Sequence, residues 1–347
     1  MIWIIIFAAA LILSALATIV IKKIALRFNI VDVPGDARKI HARPIPLLGG
    51  VGIFFALALI AFAYYILAPT SWPAIIDKQI SVVQLTGIFL GAGWLVLGGI
   101  LDDKYNLRAH RQIIWPLLAV ITVSLSGIGI TKITHPFGGI IDLAPLTSVT
   151  LTSLWLLGII YTTKLLDGVD GLVTGITSIG AVIIAILSLL FFVNIPTAIL
   201  ATMIAGVYAG FLIFNFHPAQ IFLGEAGSTL AGFLLGVLAI ISGAKVATTV
   251  LVLGVPLFDM VWVITRRVFW EKKSMFSADR KHLHFRLLDM GLSQRAVVLI
   301  MYLFSAAFGV SALFLQSSGK LFAIGILLLI MVIAAIILTQ KEKTTEK

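Results

Sequence analysis

The chain contains no cysteine and few charged side chains. Only 15 of its 347 residues are Asp or Glu, and charged residues make up 12% of the chain against 60% for hydrophobic ones. The lack of cysteine excludes a disulfide framework and a thiolate metal site. The low charge excludes a soluble globular domain, because such a domain could not cover its surface with polar groups. The composition therefore indicates an integral membrane protein.

Long apolar runs contain most of the hydrophobic residues. A helix needs about 20 apolar residues to cross the hydrocarbon core of a bilayer. We predict an all-α integral membrane protein, a polytopic bundle with eleven transmembrane spans at 1–21, 47–68, 81–101, 113–131, 147–166, 173–193, 197–216, 227–244, 246–265, 296–315 and 321–339. The first run lacks a basic n-region and a cleavage motif, so we expect it to be a retained span. We predict one membrane domain over 1–340 and a short charged tail over 341–347.

The cations are unevenly distributed between the predicted loops. Of the 25 Lys and Arg residues, 21 fall on one side of the membrane, and the other side has only Lys78, Lys132, Lys245 and Lys320. Because Lys and Arg concentrate in cytoplasmic loops, we predict an external N-terminus and a cytoplasmic C-terminus in the plasma (inner) membrane. The net charge of +10 is then explained by loops that face anionic lipid or an anionic substrate, with no nucleic acid as partner.

Thirteen of the 15 acidic residues fall on or near the predicted cytoplasmic side. Several belong to polar clusters at the ends of spans, at 32–50, 101–107, 164–172, 214–228, 256–259 and 278–288. Any one cluster is compatible with a solvated helix end. Together they place acidic pairs, glycines, histidines and cations on one face. That combination is typical of metal-dependent phosphoryl transfer, because Mg²⁺ binds carboxylate oxygens and cations hold phosphate charge.

Two acidic pairs are the first candidates for this site. Asp102 and Asp103 are adjacent at the end of the third span, and adjacent carboxylates repel each other unless a cation or a shared proton intervenes. The alternative is a solvated pair balanced by Lys104. Asp167 and Asp170 are three residues apart, which places them on one face if the segment is helical. The alternative there is a glycine-rich turn between two spans.

Four further features carry polar or aromatic groups toward the same face. Glu225, at the start of the eighth span, can bind a metal. Phe222 either faces lipid or offers a surface on which a base can stack. His282 and His284 lie among cations, which suits binding of a diphosphate. Asp259 lies within a span, where an acid predicts a functional role.

Taken in order, these clusters resemble the motifs of the polyprenyl-phosphate N-acetylhexosamine-1-phosphate transferase family, or glycosyltransferase family 4. DVPGDARKIHARPIPLLGG is similar to the family's D-x-P-x-x-R-K-x-H-x-x-P-x-P-x-x-G-G loop, and LDDKYNL to its DD-x-x-x-L motif. KLLDGVDGL resembles N-x-x-DG-x-DGL, and FNFHPAQIFLGEAGS resembles N-x-x-PA-x-x-F-x-GD-x-GS. ADRKHLHFRLL is similar to ADR-x-H-x-HH-x-L. The resemblance covers essentially the whole chain.

The resemblance implies a reaction. A sugar-1-phosphate moves from a UDP-N-acetylhexosamine to undecaprenyl (polyprenyl) phosphate, UMP is released, and Mg²⁺ is required, with Mn²⁺ as an alternative ion. The HLHFR segment, which lacks three successive histidines, and the PLFD segment favour the branch that starts teichoic acid, O-antigen or related glycans, with UDP-GlcNAc as donor. The alternatives are a phospho-N-acetylmuramoyl-pentapeptide transferase and a non-enzymatic transporter of lipid or solute. A homodimer is compatible with the family.

The resemblance also implies roles for individual residues. Asp102, Asp103 and Asp167 would be catalytic, and Glu225 would bind the metal together with Asp102 and Asp103. In the nucleotide site, Asp170 would bond the uracil, Phe222 would stack on it and Asn215 would support the site. The remaining candidates for substrate binding, mostly for contacts with the diphosphate or the sugar, are Arg43, Lys164, Asp259, Arg280, His282 and His284.

Three positions depart from the family pattern. Lys164 replaces an asparagine, Glu225 replaces an aspartate and Phe285 replaces a histidine. Glu225 keeps a carboxylate but moves it outward by one methylene. Lys164 adds a cation one helical turn before Asp167, where it can pair with that acid or with a diphosphate. These departures leave open a diverged active enzyme, an altered donor or a loss of activity.

Overall fold

The structure is a computed structural model of the chain. It describes residues 1–35, 41, 43–67, 80–134, 139–191, 193–243, 246–270, 272, 282–315 and 317–345. Arg280, a predicted substrate-binding residue, lies outside these ranges.

Helices account for most of the described chain. They are α1 (Ile2–Arg27), α2 (Gly49–Leu67), α3 (Val82–Tyr105), α4 (Ala109–Gln112), α5 (Ile114–Leu125), α6 (Pro145–Leu166), α7 (Leu172–Leu190), α8 (Ile195–Asn215), α9 (Gly224–Ile241), α10 (Val246–Val252), α11 (Gly254–Thr265), α12 (Leu283–Asp289), α13 (Gln294–Phe314) and α14 (Ser317–Thr345). A π-helical turn at Arg266–Trp270 extends α11. The predicted helical class is thereby confirmed.

Two short antiparallel ribbons interrupt the helices, which composition did not predict. Strands β1 (Val31–Asp32) and β2 (Ile45–Pro46) pair in the loop after α1. Strands β3 (Lys132–Thr134) and β4 (Ile140–Asp142) pair between α5 and α6. Both ribbons lie in loops between apolar helices.

Eight of the described helices are long and apolar enough to cross a membrane, and the bent pair α10–α11 makes a ninth candidate. Two further predicted spans overlap shorter apolar helical stretches of 10–17 residues, at Ala109–Leu125 and Ser318–Ile333. A multi-pass membrane protein is therefore supported, whereas the count of eleven crossings and the orientation stay predictions.

Several boundaries differ from those predicted. The ninth predicted span bends by 81° between α10 and α11. Pro256 lies in the first turn of α11, where a proline cannot continue the hydrogen bonding of the preceding helix. Helix α14 continues to Thr345, into the segment predicted as a tail. Helix α3 extends to Tyr105, so the two acids predicted to follow it lie inside its last turn.

The centre of the bundle is α9, in which 89% of the residues are buried inside the protein. It packs against α2, α3, α6 and α7. Its sequence, GEAGSTLAGFLLGVLAII, is rich in glycine and alanine, and such small residues allow helices in a bilayer to approach closely. Because α9 is central, its N-terminal end lies among the ends of the surrounding helices. That end carries Glu225.

Candidate active site

Asp167 and Asp170 lie in the turn that joins α6 to α7. Helix α6 ends at Leu166 and α7 begins at Leu172, with Gly171 at a φ of +80° before it. The alternative of a glycine-rich turn is therefore the one observed. The two carboxylates do not share a helix face, and they have different neighbours.

Asp102 stabilises the end of α3. Its Oδ1 accepts hydrogen bonds from the backbone N–H of Leu107 at 2.8 Å and from Nε2 of Gln112 at 2.9 Å. The Gln112 amide also donates to the backbone carbonyl of Leu107 at 2.9 Å. Asp102 is thus held by the chain that leads from α3 into α4. The alternative of a solvated pair does not describe it.

Asp103 is joined directly to the start of α9. Its Oδ1 accepts a hydrogen bond from the backbone N–H of Glu225 at 2.9 Å. Its Oδ2 is buried and has no hydrogen-bond partner in the described chain. Gly224 has a φ of +68°, and a Cβ placed there would lie 2.3 Å from Asp103 Oδ2. The contact therefore requires glycine at this position, both for its backbone conformation and for the space beside it.

Lys164, in the last turn of α6, bonds to Glu225 and not to Asp167. Its Nζ lies 2.5 Å from Glu225 Oε1 and 2.9 Å from Gln112 Oε1. The interpretation that Lys164 pairs with Asp167 is therefore not borne out, because α6 directs the ammonium toward α9. Two of the three departures from the family pattern thus bond to each other.

Asp102, Asp103, Asp167 and Glu225 form a group that we call the carboxylate cluster. Their charges influence one another. Asp103 lies within reach of the charges of Glu225, Asp102 and Asp167. Asp167 is exposed at the surface of its turn. The pKa of Asp167 is raised above its ordinary value of 3.8. The main cause is desolvation of its carboxyl by the protein, followed by the negative charges of Glu225 and Asp170. A cation would relieve this repulsion.

The donor set suits a hard divalent cation. It consists of carboxylate oxygens, and one of them, Asp103 Oδ2, is buried without a partner in the described chain. Among the residues that the structure describes, no group of three or more His, Cys, Asp or Glu side chains is placed to hold a metal ion by itself. Mg²⁺ does not need one, because it commonly binds one or two carboxylates together with phosphates and water. The residues fit an ion that shares its ligands with a substrate.

Asp170 belongs to a neighbouring polar group formed with the segment after α8. Its Oδ2 lies 2.8 Å from Nδ1 of His217 and accepts a hydrogen bond from the backbone N–H of Ala219 at 3.1 Å. Buried Asn215 supports the same turn, because its Oδ1 accepts from the N–H of Gly171 at 3.1 Å and its Nδ2 donates to the carbonyl of Ile221 at 3.0 Å. Asn215 therefore connects the Asp170 turn to the segment that carries Phe222.

Phe222 is half-buried and packs against a histidine. The rings of His41 and Phe222 meet edge to face with centroids 5.3 Å apart. His41 is held from both sides, with Nε2 2.9 Å from Asp32 Oδ2 and Nδ1 2.8 Å from the carbonyl of Arg43. The Arg43 residue itself is exposed. Phe222 therefore has a fixed protein neighbour on one edge.

Asp259 and His282 form a buried pair. His282 Nδ1 lies 2.7 Å from Asp259 Oδ2, and the N–H of Leu283 donates to Asp259 Oδ1 at 2.9 Å. His284 stacks on His282 with ring centroids 5.7 Å apart. Asp259 thus connects the bent helix α11 to the start of α12.

His284 is the least satisfied of these polar groups. It is buried, and neither ring nitrogen has a hydrogen-bond partner within the described ranges. A Cβ at Gly168 would lie 2.9 Å from His284 Nε2 and 2.7 Å from the ring of Phe285. Burial lowers the pKa of His284 to about 4, although Asp259 acts in the opposite direction. The imidazole lies directly against the turn that carries Asp167.

The structure adds three residues that sequence reasoning did not select. His217 and His41 fall within the quoted motifs, and each lies beside a residue that was selected. Gln112 gave no signal in the sequence, because its role depends on the turn between α3 and α5. It donates to Asp102 and accepts from Lys164, and so joins two parts of the carboxylate cluster.

Comparisons with known proteins identify the family of the chain. A sequence model described as "Glycosyl transferase family 4" matches residues 85–243. The chain is 32% identical to a "Probable undecaprenyl-phosphate N-acetylglucosaminyl 1-phosphate transferase" of Bacillus subtilis, over 95% of this chain and 90% of that protein. It is 28% identical to a "Decaprenyl-phosphate N-acetylglucosaminephosphotransferase" of Mycolicibacterium smegmatis, over 94% and 86% respectively.

A third relative has the same kind of name. An "Undecaprenyl-phosphate alpha-N-acetylglucosaminyl 1-phosphate transferase" of Yersinia pestis is 29% identical, over 83% of this chain and 77% of its own length. The family match contains Asp102, Asp103, Asp167 and Glu225. The chain belongs to glycosyl transferase family 4, the polyprenyl-phosphate N-acetylhexosamine-1-phosphate transferases.

Proposed function

We propose that the chain transfers GlcNAc-1-phosphate from UDP-GlcNAc to undecaprenyl phosphate. UMP is released, and the lipid-linked sugar starts a cell-envelope glycan. The names of the relatives support this assignment, since each describes an N-acetylglucosamine phosphotransferase that acts on a polyprenyl phosphate.

The observation that carries the proposal is the carboxylate cluster at the ends of α3, α6 and α9. The backbone N–H of Glu225 donates a hydrogen bond to the Asp103 carboxylate, and Asp167 acts electrostatically on Asp103. These acids lie at helix ends, whereas a transporter usually has its polar residues near the bilayer midplane. A site at a membrane surface suits a reaction between a soluble nucleotide sugar and a lipid phosphate.

We assign the catalytic roles to Asp102, Asp103 and Asp167. Asp103 Oδ2, which has no hydrogen bond in the described chain, is positioned to accept a proton from the lipid phosphate or to bind a cation. Glu225, with Asp102 and Asp103, would hold Mg²⁺ or Mn²⁺. Such an ion would supply positive charge that stabilises the diphosphate while the lipid phosphate bonds to the sugar phosphate and the bond from the sugar phosphate to UMP breaks.

We assign the nucleotide to the region of Asp170 and Phe222. Asp170 would bond the uracil, Phe222 would stack on it, and Asn215 would keep the two segments together through its bonds to Gly171 and Ile221. The diphosphate and the sugar would contact the remaining predicted residues, which are Arg43, Lys164, Asp259, Arg280, His282 and His284.

We further propose that the chain has eleven crossings, with its N-terminus outside and its C-terminus in the cytoplasm. The active site then faces the cytoplasm at the plasma (inner) membrane, where UDP-sugars are made. Residues 1–340 would form one membrane domain in the lipid bilayer, with 341–347 as a charged tail, and two copies would form a homodimer.

A donor panel tests the proposed reaction. The purified chain in lipid is given undecaprenyl phosphate, Mg²⁺ and one labelled UDP-sugar at a time, and lipid-linked label is measured. We expect label from UDP-GlcNAc above that from UDP-GalNAc or UDP-N-acetylmuramoyl-pentapeptide. Product from the pentapeptide donor alone would replace the proposed activity with the peptidoglycan one. No product from any donor would overturn the assignment of a transferase.

A further inference from the structure

Lys164 lies inside the carboxylate cluster, where it joins three parts of the bundle. Its Nζ bonds Oε1 of Glu225 at 2.5 Å and Oε1 of Gln112 at 2.9 Å. The other end of the Gln112 amide donates to Asp102 Oδ1 at 2.9 Å. A continuous chain of hydrogen bonds therefore runs from Asp102 through Gln112 and Lys164 to Glu225. It connects the end of α3, α4, the end of α6 and the start of α9.

The Lys164–Glu225 pair is partly withdrawn from water. The side chains retain 21% and 18% of their possible exposure, respectively. The Lys164 ammonium also lies 5.8 Å from the centroid of the Tyr161 ring. Charges in such surroundings are screened less than a surface pair is, so the ammonium offsets much of the negative charge of Glu225. Glu225 already has a cationic partner before any metal binds.

We propose that Lys164 is a positioning residue that competes with the divalent cation for Glu225. This inference rests on the proposed function for the identity of the cation, and it goes beyond a contact between Lys164 and the diphosphate. An ion that binds Glu225 Oε1 must displace the ammonium or bind beside it, and both cost affinity. The cluster therefore remains assembled without the ion, and the ion binds weakly until a substrate phosphate contributes ligands.

The two departures from the family pattern support a coupled pair. Lys164 stands where the family has asparagine, and Glu225 where it has aspartate. A neutral amide would leave a carboxylate at position 225 free for metal, whereas the ammonium occupies one of its oxygens. The longer side chain of glutamate extends this carboxylate toward α6. The effect of changing Lys164 should therefore depend on Glu225.

Mn²⁺ binding to the purified full chain tests this inference without any turnover. Free Mn²⁺ is measured by electron paramagnetic resonance for the wild type, Lys164→Asn and Lys164→Gln, in the absence of substrate. We expect both variants to bind Mn²⁺ about tenfold more tightly, because a cation next to the ligand oxygen has been removed. Lys104→Asn is the matched control. It removes an exposed lysine from the last turn of α3, directly after Asp103, and we expect its affinity to stay within about twofold of the wild type.

Glu225→Gln shows whether Lys164 changes Mn²⁺ affinity through its bond to Glu225. With Glu225→Gln present, adding Lys164→Gln should leave Mn²⁺ affinity unchanged. An equal gain in that background would overturn the inference, as would unchanged or weaker binding in the single variants. Lys164→Gln keeps hydrogen-bond donors for Glu225 and Gln112, so it is the variant to use if Lys164→Asn does not elute as a single species.

The outcome for the proposed function is separate. Tighter Mn²⁺ binding in a chain that transfers no sugar phosphate would support the competition and reject the transferase. Conversely, a chain that transfers sugar phosphate but binds Mn²⁺ equally well with and without Lys164 would support the transferase and reject the competition.

Discussion

The backbone N–H of Glu225 donates to the carboxylate of Asp103, with the two atoms 2.9 Å apart. This contact joins the C-terminal end of α3 to the N-terminal end of α9. It orients one oxygen of Asp103 and leaves the other buried with no hydrogen bond among the described residues. The site therefore contains an acid that is already oriented before a lipid phosphate or a cation binds.

Gly224→Ala should disrupt this contact. The added Cβ would lie 2.3 Å from Asp103 Oδ2, and the φ of +68° is strained for alanine. We expect a loss of about 1–3 kcal/mol in the free energy of unfolding and transfer activity at least about tenfold lower. Thermal unfolding in detergent and initial rates with UDP-GlcNAc measure the two effects.

Gly158→Ala is the control for Gly224→Ala. Gly158 lies in α6, where a Cβ would meet nothing within 4 Å, so we expect activity and stability at or above the wild-type level. Equal behaviour of the two variants would show that the space beside Asp103 does not matter.

Asp170→Asn should weaken binding of the nucleotide more than it slows transfer. Asp170 Oδ2 is held by His217 and by the N–H of Ala219, and the variant loses the charge while keeping an acceptor. We expect KM for UDP-GlcNAc to rise by about tenfold while kcat and KM for the lipid change by less than about threefold. Steady-state kinetics with each substrate varied in turn separates these effects. A fall in kcat with an unchanged KM would place Asp170 in the chemical step instead.

The chain should lose stability in acid through His284. Burial lowers its pKa from 6.5 to about 4 in the folded protein, so the unfolded chain binds the proton first as the pH falls. Below pH 6.5 this group therefore favours unfolding progressively, by at most about 1.4 kcal/mol for each pH unit until the folded pKa is passed. His284→Phe removes the titrating group and should reduce the fall in unfolding temperature between pH 7 and pH 4.5.

His110→Phe is the matched control for His284→Phe, because His110 is exposed in the short helix α4. It should leave the pH dependence of the unfolding temperature as it is in the wild type. The same pH dependence in all three proteins would contradict the role given to His284.

Asp259→Ala should destabilise the folded chain. The substitution leaves buried His282 and the N–H of Leu283 without the carboxylate that accepts from them. Loss of one partner of a buried pair typically costs about 3–5 kcal/mol. Thermal unfolding in detergent measures the loss. Asp142→Ala removes an acid whose side chain is 77% exposed, and it should change the unfolding temperature by much less.

The sequence predicted the helical membrane class because long apolar runs are sufficient for it. It also selected Asp103, Asp167 and Glu225, since few acids occur in the chain and each falls at the end of an apolar run. The hydrogen bond between Asp103 and Glu225 could not be predicted. The direction of the Lys164 side chain depends on how α6 packs against α9, whereas spacing along the chain indicated Asp167 or a diphosphate as its partner.

Other features depend on tertiary contacts that have no local pattern. Gln112 bonds Asp102 and Lys164 only because α4 turns back toward α3. The 81° bend between α10 and α11 was missed because hydropathy is uniform across it, although Pro256 was a signal. Asp259 and His282 are 23 positions apart, one in α11 and the other at the start of α12, and no local sequence pattern indicates that they pair.

The most direct test of the proposed activity is the transfer of labelled GlcNAc-1-phosphate by Asp103→Asn and by the wild type. Both purified proteins are given UDP-GlcNAc, undecaprenyl phosphate and Mg²⁺ in lipid, with Asp142→Asn as the control acid. We expect labelled lipid from the wild type and from Asp142→Asn, and a rate at least about 100-fold lower from Asp103→Asn. Transfer by Asp103→Asn at the wild-type rate would contradict the catalytic role of the carboxylate cluster.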